Sequence, residues 1–383
     1  MNTLFISNDP SVFDSASPTR ARMRAYAGHI GNLAIVSRGN PAQVREYGAG
    51  VQEGGLTLYA VGGGKIAGLS ALLNCARKVI RERGIEVVSA QDPFEHGWVA
   101  LKAVKGTNAR LHVQVHTDFC SPWFVKGKAF RSKGMPMPLL NRIRVRIAGR
   151  VLPKAHGIRT VSERVKEGIL ARYPDLPIVP SVIPIAVESA LPPSVELPPR
   201  PYTFTFITVG RLEPEKRIED ILDALARVKD MYPSVGLIVV GEGRARAHLE
   251  RLVRSFGLEG RVMFLGARPD ALGLMQSAQA YIQASGYEGY GRTLIEAALA
   301  RIPIITTDVG IVGEVLNGYD DVLAAPPGDP AALAVHISGI IEDVQARSSL
   351  VMNAERKAKA HLAGFADLPE LIAADLAATL HQP

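Results

Sequence analysis

Residues 191–209 read LPPSVELPPRPYTFTFITV, a proline-dense stretch followed directly by an apolar run. Five of the eleven residues from 191 to 201 are proline, which is typical of a semi-rigid linker. The run Phe204–Val209 is short and rich in β-branched and aromatic residues, as in a strand buried within a parallel sheet. The sequence therefore predicts a domain boundary at 191–201 and the first strand of a new domain after it.

The same pattern of short apolar runs and helix-period segments extends in both directions from this linker. In Lys65–Arg83, for example, apolar residues recur at helical spacing. Alternation on both sides predicts an α/β protein with two Rossmann-like, doubly wound parallel-sheet domains that face each other across a cleft. We expect domains at 1–190 and 202–365, and a helix at 366–383 that could return to the first domain. Strands are predicted at Thr3–Ser7, Leu33–Ser37, Leu56–Val61, Val87–Ala90, Leu111–His116, Gly157–Val161, Ile178–Ile183, Phe204–Val209, Gly236–Val240, Val262–Leu265, Ala280–Ala284, Pro303–Thr306 and Val322–Ala324.

The composition narrows the class of protein. Hydrophobic residues make up 47% and charged residues 21% of the chain, which is ordinary for a globular protein and excludes disordered and fibrous classes. Two cysteines, Cys75 and Cys120, are too few for a disulfide framework or a four-cysteine metal site. The first residues do not resemble a secretion signal, and no run of about 20 apolar residues could span a bilayer. We therefore expect a cytoplasmic protein.

The charge is distributed unevenly along the chain. Residues 1–190 carry 26 basic and 13 acidic residues (+13), whereas residues 191–383 carry 18 and 24 (−6), which together give the net +7. A field of one sign favours an anionic partner, such as nucleic acid, a membrane surface or a phosphorylated acceptor, although it could simply serve solubility. The stretch Lys126–Arg150 interleaves cations with apolar residues, so it could lie on an anionic membrane or be a solvated loop and helix.

A glycine-rich segment, Ala284–Ala298, follows an apolar strand and opens a helix. The helix start near Arg292–Leu294 would attract phosphate through its backbone N–H groups and its dipole. Glu288, on the loop, and Glu296, in the helix, could both face the strand ends. Because carboxylates accept hydrogen bonds from sugar and ribose hydroxyls, this combination indicates a nucleotide-sugar site.

A second candidate element is the strand-to-helix loop Gly210–Arg217, which reads GRLEPEKR. Its cations Arg211 and Lys216 could reach a diphosphate, one with a guanidinium fork and the other with a point charge. Together they could stabilise a departing diphosphate as its charge develops.

In these motifs the second half of the chain resembles glycosyltransferase family 4, a large group of retaining enzymes with the GT-B fold. The resemblance is strong over about residues 203–330 and looser in the first half. Five motifs carry it in order and spacing: Gly210-Arg211-Leu212 with Lys216, Gly241-Glu242-Gly243, Phe264-Leu265-Gly266, Glu288-x7-Glu296, and Asp308-Val309-Gly310 followed by Glu314.

The resemblance implies a role for each matching residue. Arg211 and Lys216 would hold the donor diphosphate, Glu288 would contact the donor sugar, and Glu296 would bind the ribose hydroxyls. Domain 1–190 would bind the acceptor and domain 202–365 the donor. Further donor-binding positions would be Gly210, Phe264, Leu265, Gly266, Gly289, Tyr290, Gly291, Arg292, Thr293 and Leu294.

In the first half, the matching segments are Gln91–Glu95 and Gln114–Asp118. By the resemblance, His116 would lie at a strand end and face the donor sugar, as a fourth catalytic residue beside Glu288, Arg211 and Lys216. The loop Ser7–Thr19 departs from the family pattern because it contains no glycine.

The resulting hypothesis is retaining transfer of a sugar from a UDP- or GDP-linked donor to a hydroxyl acceptor, in glycolipid, polysaccharide or glycoconjugate synthesis. The acceptor could be lipid-linked, with the enzyme peripheral on the inner face of a membrane. No Asp-x-Asp motif or Cys/His cluster occurs, so we expect neither a metal nor a permanently bound cofactor. Alternatives are a sugar-phosphate synthase with a small soluble acceptor and a non-catalytic nucleotide- or nucleic-acid-binding protein. The acidic second half argues against nucleic acid.

Overall fold

The computed structural model describes residues 1–126 and 137–382. The chain forms two compact units. The first comprises Met1–His116, Leu140–Pro184 and Asp367–Pro383, and the second comprises Thr117–Leu139 and Ile185–Ala366. Each unit contains one sheet that is parallel throughout or nearly so, which confirms the predicted class of two parallel-sheet α/β domains.

The sheet of the first unit has eight strands among the described residues. They are β1 (Asn2–Ser7), β2 (Asn32–Arg38), β3 (Val51–Glu53), β4 (Leu56–Val61), β5 (Val87–Ala90), β6 (Arg110–Val115), β7 (Gly157–Thr160) and β8 (Ser181–Val182). Their order is β3-β4-β2-β1-β5-β6-β7-β8, and only the β3–β4 pair is antiparallel. The strands β1, β2, β4, β5 and β6 are almost wholly buried, as their continuous apolar runs predict.

The sheet of the second unit has six parallel strands among the described residues, in the order β11-β10-β9-β12-β13-β14. They are β9 (Phe204–Val209), β10 (Val235–Val240), β11 (Val262–Gly266), β12 (Ala280–Ile282), β13 (Ile304–Thr307) and β14 (Leu323–Ala325). Because β9 and β12 are neighbours at the middle of this order, the loops that follow them emerge side by side.

Fourteen α-helices are found in the described residues. They are α1 (Pro18–Ile30), α2 (Pro41–Tyr47), α3 (Lys65–Arg83), α4 (Glu95–Val104), α5 (Pro122–Lys126), α6 (Met137–Val151), α7 (Glu163–Arg172), α8 (Ile218–Val228), α9 (Arg246–Ser255), α10 (Ala271–Met275), α11 (Arg292–Leu299), α12 (Pro330–Glu342), α13 (Val344–Ala363) and α14 (Leu368–Ala378). None of the helices so described is long and apolar enough to cross a membrane.

Local chemistry explains where several helices begin. Ser17 accepts a hydrogen bond from the backbone N–H of Arg20, and Pro18 occupies the first position of α1, where its missing N–H costs nothing. In α8, the apolar residues at helical spacing are buried in the core of the second unit. The sequence prediction overlooked β3, a short antiparallel edge strand whose polar residues give no apolar run.

Candidate functional site

Two motifs of the second unit meet at the carboxyl ends of neighbouring strands. The loop Gly210–Arg217 follows β9, and the loop 283–291 follows β12. They are joined directly, because the backbone N–H of Gly286 donates a hydrogen bond of 2.8 Å to the carbonyl of Glu215. Parallel α/β sheets bind ligands at such strand ends, so this is where we place the candidate site.

The centre of this site is an ion pair between Lys216 and Glu288. Lys216 Nζ lies 2.5 Å from Glu288 Oε1, and the two side chains are only 23% and 14% exposed. Ser285 Oγ donates to the same carboxylate oxygen at 2.7 Å. Two donors on separate loops therefore hold the Glu288 carboxylate in one place. Sequence reasoning gave Ser285 no role, although it lies three residues before Glu288 in the same turn.

A third loop, which follows β13, packs against the segment that carries Glu288. Gly310, after β13, has a φ of +60°, and a Cβ there would lie 2.4 Å from the Tyr290 carbonyl and 3.2 Å from Glu288 Cβ. The next residue, Ile311, donates its backbone N–H to that carbonyl at 2.9 Å. Only glycine suits this conformation and this contact, which explains why the motif Asp308–Gly310 accompanies Glu288.

Helix α11 brings Glu296 and its partner to the same loop. Arg292 Nε donates to Glu296 Oε1 at 2.6 Å, one helical turn apart. Burial raises the pKa of Glu296, and the charge of Arg292 opposes this effect. Thr293 Oγ1 donates to Gln283 Oε1 at 3.0 Å, whereas the Leu294 N–H donates to the Gly291 carbonyl at 2.8 Å. The Leu294 donor is thus engaged within the turn that begins the helix.

Arg211 lies near this centre without joining it. Its side chain is 71% exposed, and Nη2 donates to Glu215 Oε1 at 3.2 Å. Its loop is held by the neighbouring turn: Gly210 N–H donates to Val240 O at 3.0 Å and Leu212 N–H to Glu242 O at 2.9 Å.

The segment Phe264–Gly266 ends the outer strand β11. It is half-buried, and the Gly241 N–H donates to the Gly266 carbonyl at 2.7 Å. The guanidinium of Arg246 lies 5.4 Å from the centroid of the Phe264 ring. The turn 241–243 thus connects this segment to the Arg211 loop, so the motifs of the resemblance adjoin one another along the strand ends.

Two aromatic residues that sequence reasoning missed contact the site loops. The Arg217 guanidinium stacks on the Trp123 ring at 4.6 Å, and Phe124 meets Tyr287 edge-on at 5.4 Å. A Cβ on Gly286 would lie 3.4 Å from Trp123 Cβ, so the ring packs closely on the loop that carries Glu288. The adjacent aromatic residues Trp123 and Phe124 could be recognised in the sequence, but the residues that they contact could not be predicted from it.

In the first unit, His116 follows the last residue of β6. Its Nε2 lies 3.0 Å from Gln114 Oε1. The pKa of His116 is lowered to about 3 by desolvation within the surrounding protein and by the charges of Arg159 and Arg22, against an opposing effect of Asp92. Although solvent reaches its side chain, the imidazole is therefore neutral at pH 7, which suits a hydrogen bond to a hydroxyl.

The other first-unit motif, Gln91–Glu95, is occupied by structural contacts. Asp92 accepts backbone hydrogen bonds from Phe94 at 2.7 Å and His96 at 3.2 Å, and it also contacts the His96 ring. Glu95 pairs with Arg144 on α6 at 3.0 Å. Asp92 thus caps the start of α4.

Within residues 1–126 and 137–382, no group of three or more His, Cys, Asp or Glu side chains is placed to hold a metal ion.

Of the basic stretch Lys126–Arg150, residues 127–136 lie outside the described residues. On α6, Arg142, Arg146 and Arg150 are exposed, while Arg144 is engaged by Glu95.

Comparison with known families agrees with this architecture. Residues 196–357 match the glycosyl transferases group 1 family, and residues 20–184 match the glycosyl transferase 4-like domain. The fold and these two matches define a protein of the GT-B glycosyltransferase type with two parallel-sheet α/β domains. Residues 196–357 belong to the glycosyl transferases group 1 family, and the first half of the chain carries the 4-like domain.

Similar proteins act in several contexts. Glycogen synthase of Mycobacterium tuberculosis is 32% identical over 183 residues, which are 47% of this chain and 42% of that protein. The 2-deoxystreptamine glucosyltransferase of Streptomyces kanamyceticus is 28% identical over 224 residues, 54% of this chain and 58% of that protein. The matched part thus spans about half the length of these relatives.

Solved structures resemble the chain over almost its full length. Sucrose-phosphate synthase from Thermosynechococcus elongatus has a TM-score of 0.78 at 20% identity and covers 98% of this chain and 100% of that chain. Anabaena HepE in complex with UDP-glucose has a TM-score of 0.73 at 20% identity and covers 98% of both chains. At these identities the likeness concerns the fold.

Proposed function

We propose that this chain transfers a sugar from a nucleoside-diphosphate sugar, UDP- or GDP-linked, to a hydroxyl acceptor with retention at the anomeric carbon. The observation that carries the proposal is the cluster of Lys216, Glu288 and Ser285 at the ends of β9 and β12, next to the start of α11. An ammonium group attracts a diphosphate, and a carboxylate accepts hydrogen bonds from sugar hydroxyls. Both kinds of ligand are present in one place.

The charges can serve the departure of the diphosphate. Lys216 Nζ has three hydrogens, so it can keep Glu288 and still donate to a phosphate oxygen. Arg211 is exposed on the adjoining turn and has room to move from Glu215 to the same phosphates. As the bond from the anomeric carbon to the diphosphate breaks, these cations stabilise the developing negative charge. The leaving oxygen takes the proton of the acceptor hydroxyl while the new bond forms on the same face.

The remaining residues would position the donor. Glu296 accepts hydrogen bonds from the ribose hydroxyls, and backbone groups of 289–293 bind the sugar and phosphates. Phe264–Gly266 borders the base. His116, neutral at pH 7, accepts a hydrogen bond from a hydroxyl of the donor sugar.

The basic first half would receive the acceptor. We propose that domain 1–190 binds a lipid-linked or polysaccharide acceptor and that Lys126–Arg150 contacts an anionic membrane surface on the cytoplasmic side. Three exposed arginines on α6 and Leu139, which is 47% exposed, support this surface. Sedimentation with vesicles of phosphatidylcholine alone and with added phosphatidylserine tests it, since only the anionic vesicles should bind.

The first experiment is a thermal-shift screen against UDP-, GDP-, ADP- and dTDP-sugars, because a ligand that binds only the folded protein raises Tm. The matching donor is then incubated with a lipid extract and with soluble sugar phosphates, and NMR of the product gives its anomeric configuration. Lys216→Ala should lose the Tm shift and transfer. Lys357→Ala is the matched control, because Lys357 is similarly exposed (26%) and forms an ion pair with the buried Asp321 at 2.6 Å. No shift with any donor, or an inverted product, contradicts the proposal.

A further inference from the structure

A continuous chain of polar side chains runs through the sheet of the first unit and ends at His116. It begins on α14, where Asp375 Oδ2 lies 2.9 Å from His112 Nε2. His112 Nδ1 lies 2.8 Å from Ser89 Oγ on β5. Ser89 Oγ in turn lies 3.0 Å from Gln114 Nε2, and Gln114 Oε1 lies 3.0 Å from His116 Nε2.

The interior of this chain is shielded from solvent. Ser89, His112 and Gln114 are 0%, 1% and 5% exposed. A buried polar group without a partner is costly, so each hydrogen bond in the chain is strongly favoured over its loss. The chain therefore behaves as one connected network.

Arg159 fixes the direction of the hydrogen bonds at one end. Arginine only donates, and Arg159 Nη1 donates to Gln114 Oε1 at 3.0 Å, while its other nitrogens donate to the carbonyls of Ile183 and Pro184. The amide of Gln114 is thereby oriented with its oxygen toward Arg159 and His116. Its nitrogen must then donate to Ser89.

Asp375 fixes the same direction at the other end. Burial raises its pKa, but hydrogen bonds from His112 and Ser181 outweigh this effect and leave the pKa lowered. The carboxylate thus accepts and His112 donates from Nε2, so that in a neutral His112 ring Nδ1 accepts the hydroxyl proton of Ser89. With a neutral His112, both ends therefore require one and the same assignment of every donor and acceptor.

The hydrogen bond from His116 to Gln114 determines the tautomer of His116. Gln114 Oε1 can only accept, so His116 must carry its hydrogen on Nε2. A neutral imidazole with hydrogen on Nε2 has an acceptor at Nδ1. We propose that Asp375, His112, Ser89, Gln114 and Arg159 form a positioning relay that holds His116 as the Nε2–H tautomer and presents Nδ1 as a hydrogen-bond acceptor for a hydroxyl of the donor sugar.

The use of Nδ1 toward the sugar rests on the proposed function, whereas the tautomer does not.

A glycine next to His112 leaves room for the contact between His112 and the C-terminal segment. At Gly157 on β7, a Cβ would lie 2.3 Å from Thr379 Oγ1 and 2.8 Å from His112 Cδ2. The absence of a side chain here allows the C-terminal segment to pack against His112, which brings Asp375 within reach. The C-terminal helix thus contributes to the state of a residue 259 positions away in the sequence (375 − 116).

The direct test is 15N NMR of the full chain labelled at histidine, because the two ring nitrogens have different shifts in each tautomer. The His116 signals are assigned by their absence in His116→Asn. We expect the Nε2–H tautomer at pH 7.5 and no imidazolium at pH 5. An Nδ1–H tautomer, or comparable populations of both, overturns the relay.

Ser89→Ala tests the middle of the chain, and Ser37→Ala is its matched control. Ser37 is also a fully buried serine of this sheet, and its hydroxyl has no hydrogen-bond partner among the described residues. Ser89→Ala removes two buried hydrogen bonds, to His112 and from Gln114, so it should reduce the Nε2–H population and lower kcat about two- to fivefold, less than the loss of His116 itself, with little change in KM. Ser37→Ala should change neither. Equal effects of both variants would contradict the relay.

Gln114→Glu provides a second variant that keeps the size of the side chain and the contact with Arg159. Its carboxylate should favour the imidazolium, so the titration of His116 should move upward by at least one pH unit. An unchanged titration contradicts the contact on which the relay depends. The tautomer is measured without substrate, so the relay is tested separately from sugar transfer. Transfer with the wrong tautomer refutes only the relay, and the correct tautomer without transfer refutes only the proposed function.

Discussion

The strand ends of the two sheets carry opposite kinds of polar chemistry. In the second unit, Lys216 and Glu288 form an ion pair on loops, partly open to solvent. In the first unit, His116 ends a buried chain whose interior members Gln114 and Ser89 are uncharged, while the charged groups of Asp375 and Arg159 are hydrogen-bonded at its two ends. Burying a charge is expensive unless it is paired and hydrogen-bonded, as it is at both ends of this chain. The comparison teaches that an ion pair lies where we propose that a diphosphate binds, whereas a neutral imidazole lies where we propose that a sugar hydroxyl binds.

The largest effect should come from the charged region. Glu288→Gln removes the carboxylate that faces Lys216 and Ser285, and we expect kcat to fall about 10²- to 10³-fold, as for loss of a positioned electrostatic group. Steady-state kinetics of sugar transfer measures this change. Glu355→Gln is the matched control, since Glu355 is similarly buried and pairs with Lys359 at 2.7 Å. Activity near wild type in a folded Glu288→Gln enzyme would remove the charged centre from the mechanism.

The uncharged region should give a smaller loss. His116→Ala would remove the proposed hydrogen bond to the donor sugar, and we expect kcat/KM to fall about five- to tenfold, because a hydrogen bond contributes about 1–1.4 kcal/mol. His29→Ala, at an exposed histidine of the same unit, should have no effect. A loss as large as that of Glu288→Gln would show that the two regions contribute equally and would break the comparison.

The backbone beneath Glu288 gives a third test. Gly310→Ala places a Cβ against the Tyr290 carbonyl at a positive φ, so we expect about 1–3 kcal/mol of lost stability and a higher KM for the donor. Denaturant unfolding and kinetics measure both. Gly339→Ala in α12 meets no atom within 4 Å and should instead stabilise the protein by about 0.5–1 kcal/mol. If Gly310→Ala leaves both quantities unchanged, the loop contact does not position Glu288.

The smallest expected effect concerns pH. The pKa of His116 lies at about 3, below its ordinary value of 6.5, so between these values the folded protein binds fewer protons there than the unfolded chain. The stability contributed by neutral His116 is fully present above pH 6.5 and is lost as the pH falls toward 3. We therefore expect no limb from His116 in kcat/KM between pH 5 and 8. An acid limb near pH 6.5 that disappears in His116→Asn would show that His116 becomes protonated in this range and would contradict a neutral imidazole at the site.

Much of the fold was predictable because its signals are local. The strand Phe204–Val209 and the helix Lys65–Arg83 were predicted with their observed bounds, since apolar periodicity depends on neighbouring residues. The strand β3 was missed because it is only three residues long and lies at the edge of the sheet, where a strand needs no continuous apolar run. The strand predicted at 178–183 shortens to Ser181–Val182, where Pro180 and Pro184 lack the N–H donors of a ladder.

The candidate site was predictable to a lesser extent. Lys216 and Glu288 were named from motif and resemblance. The sequence did not show that they form an ion pair, or that Ser285 donates a hydrogen bond to the same carboxylate. The stacking of Arg217 on Trp123 also joins residues far apart in the chain. Such pairs depend on how strands are ordered in the sheet, and strand order is not encoded by any local pattern.

The sequence by itself determined the class of the protein, because alternating apolar runs and helical periods can bury their surfaces only as parallel α/β layers. It also determined which loops carry cations, carboxylates and glycines. Only the tertiary structure decided which of these groups touch. The physical reason is that a hydrogen bond forms within about 3 Å and with a set direction. Whether Asp375 reaches His112, and through it orients His116, depends on the packing of a helix more than 250 residues further along the chain.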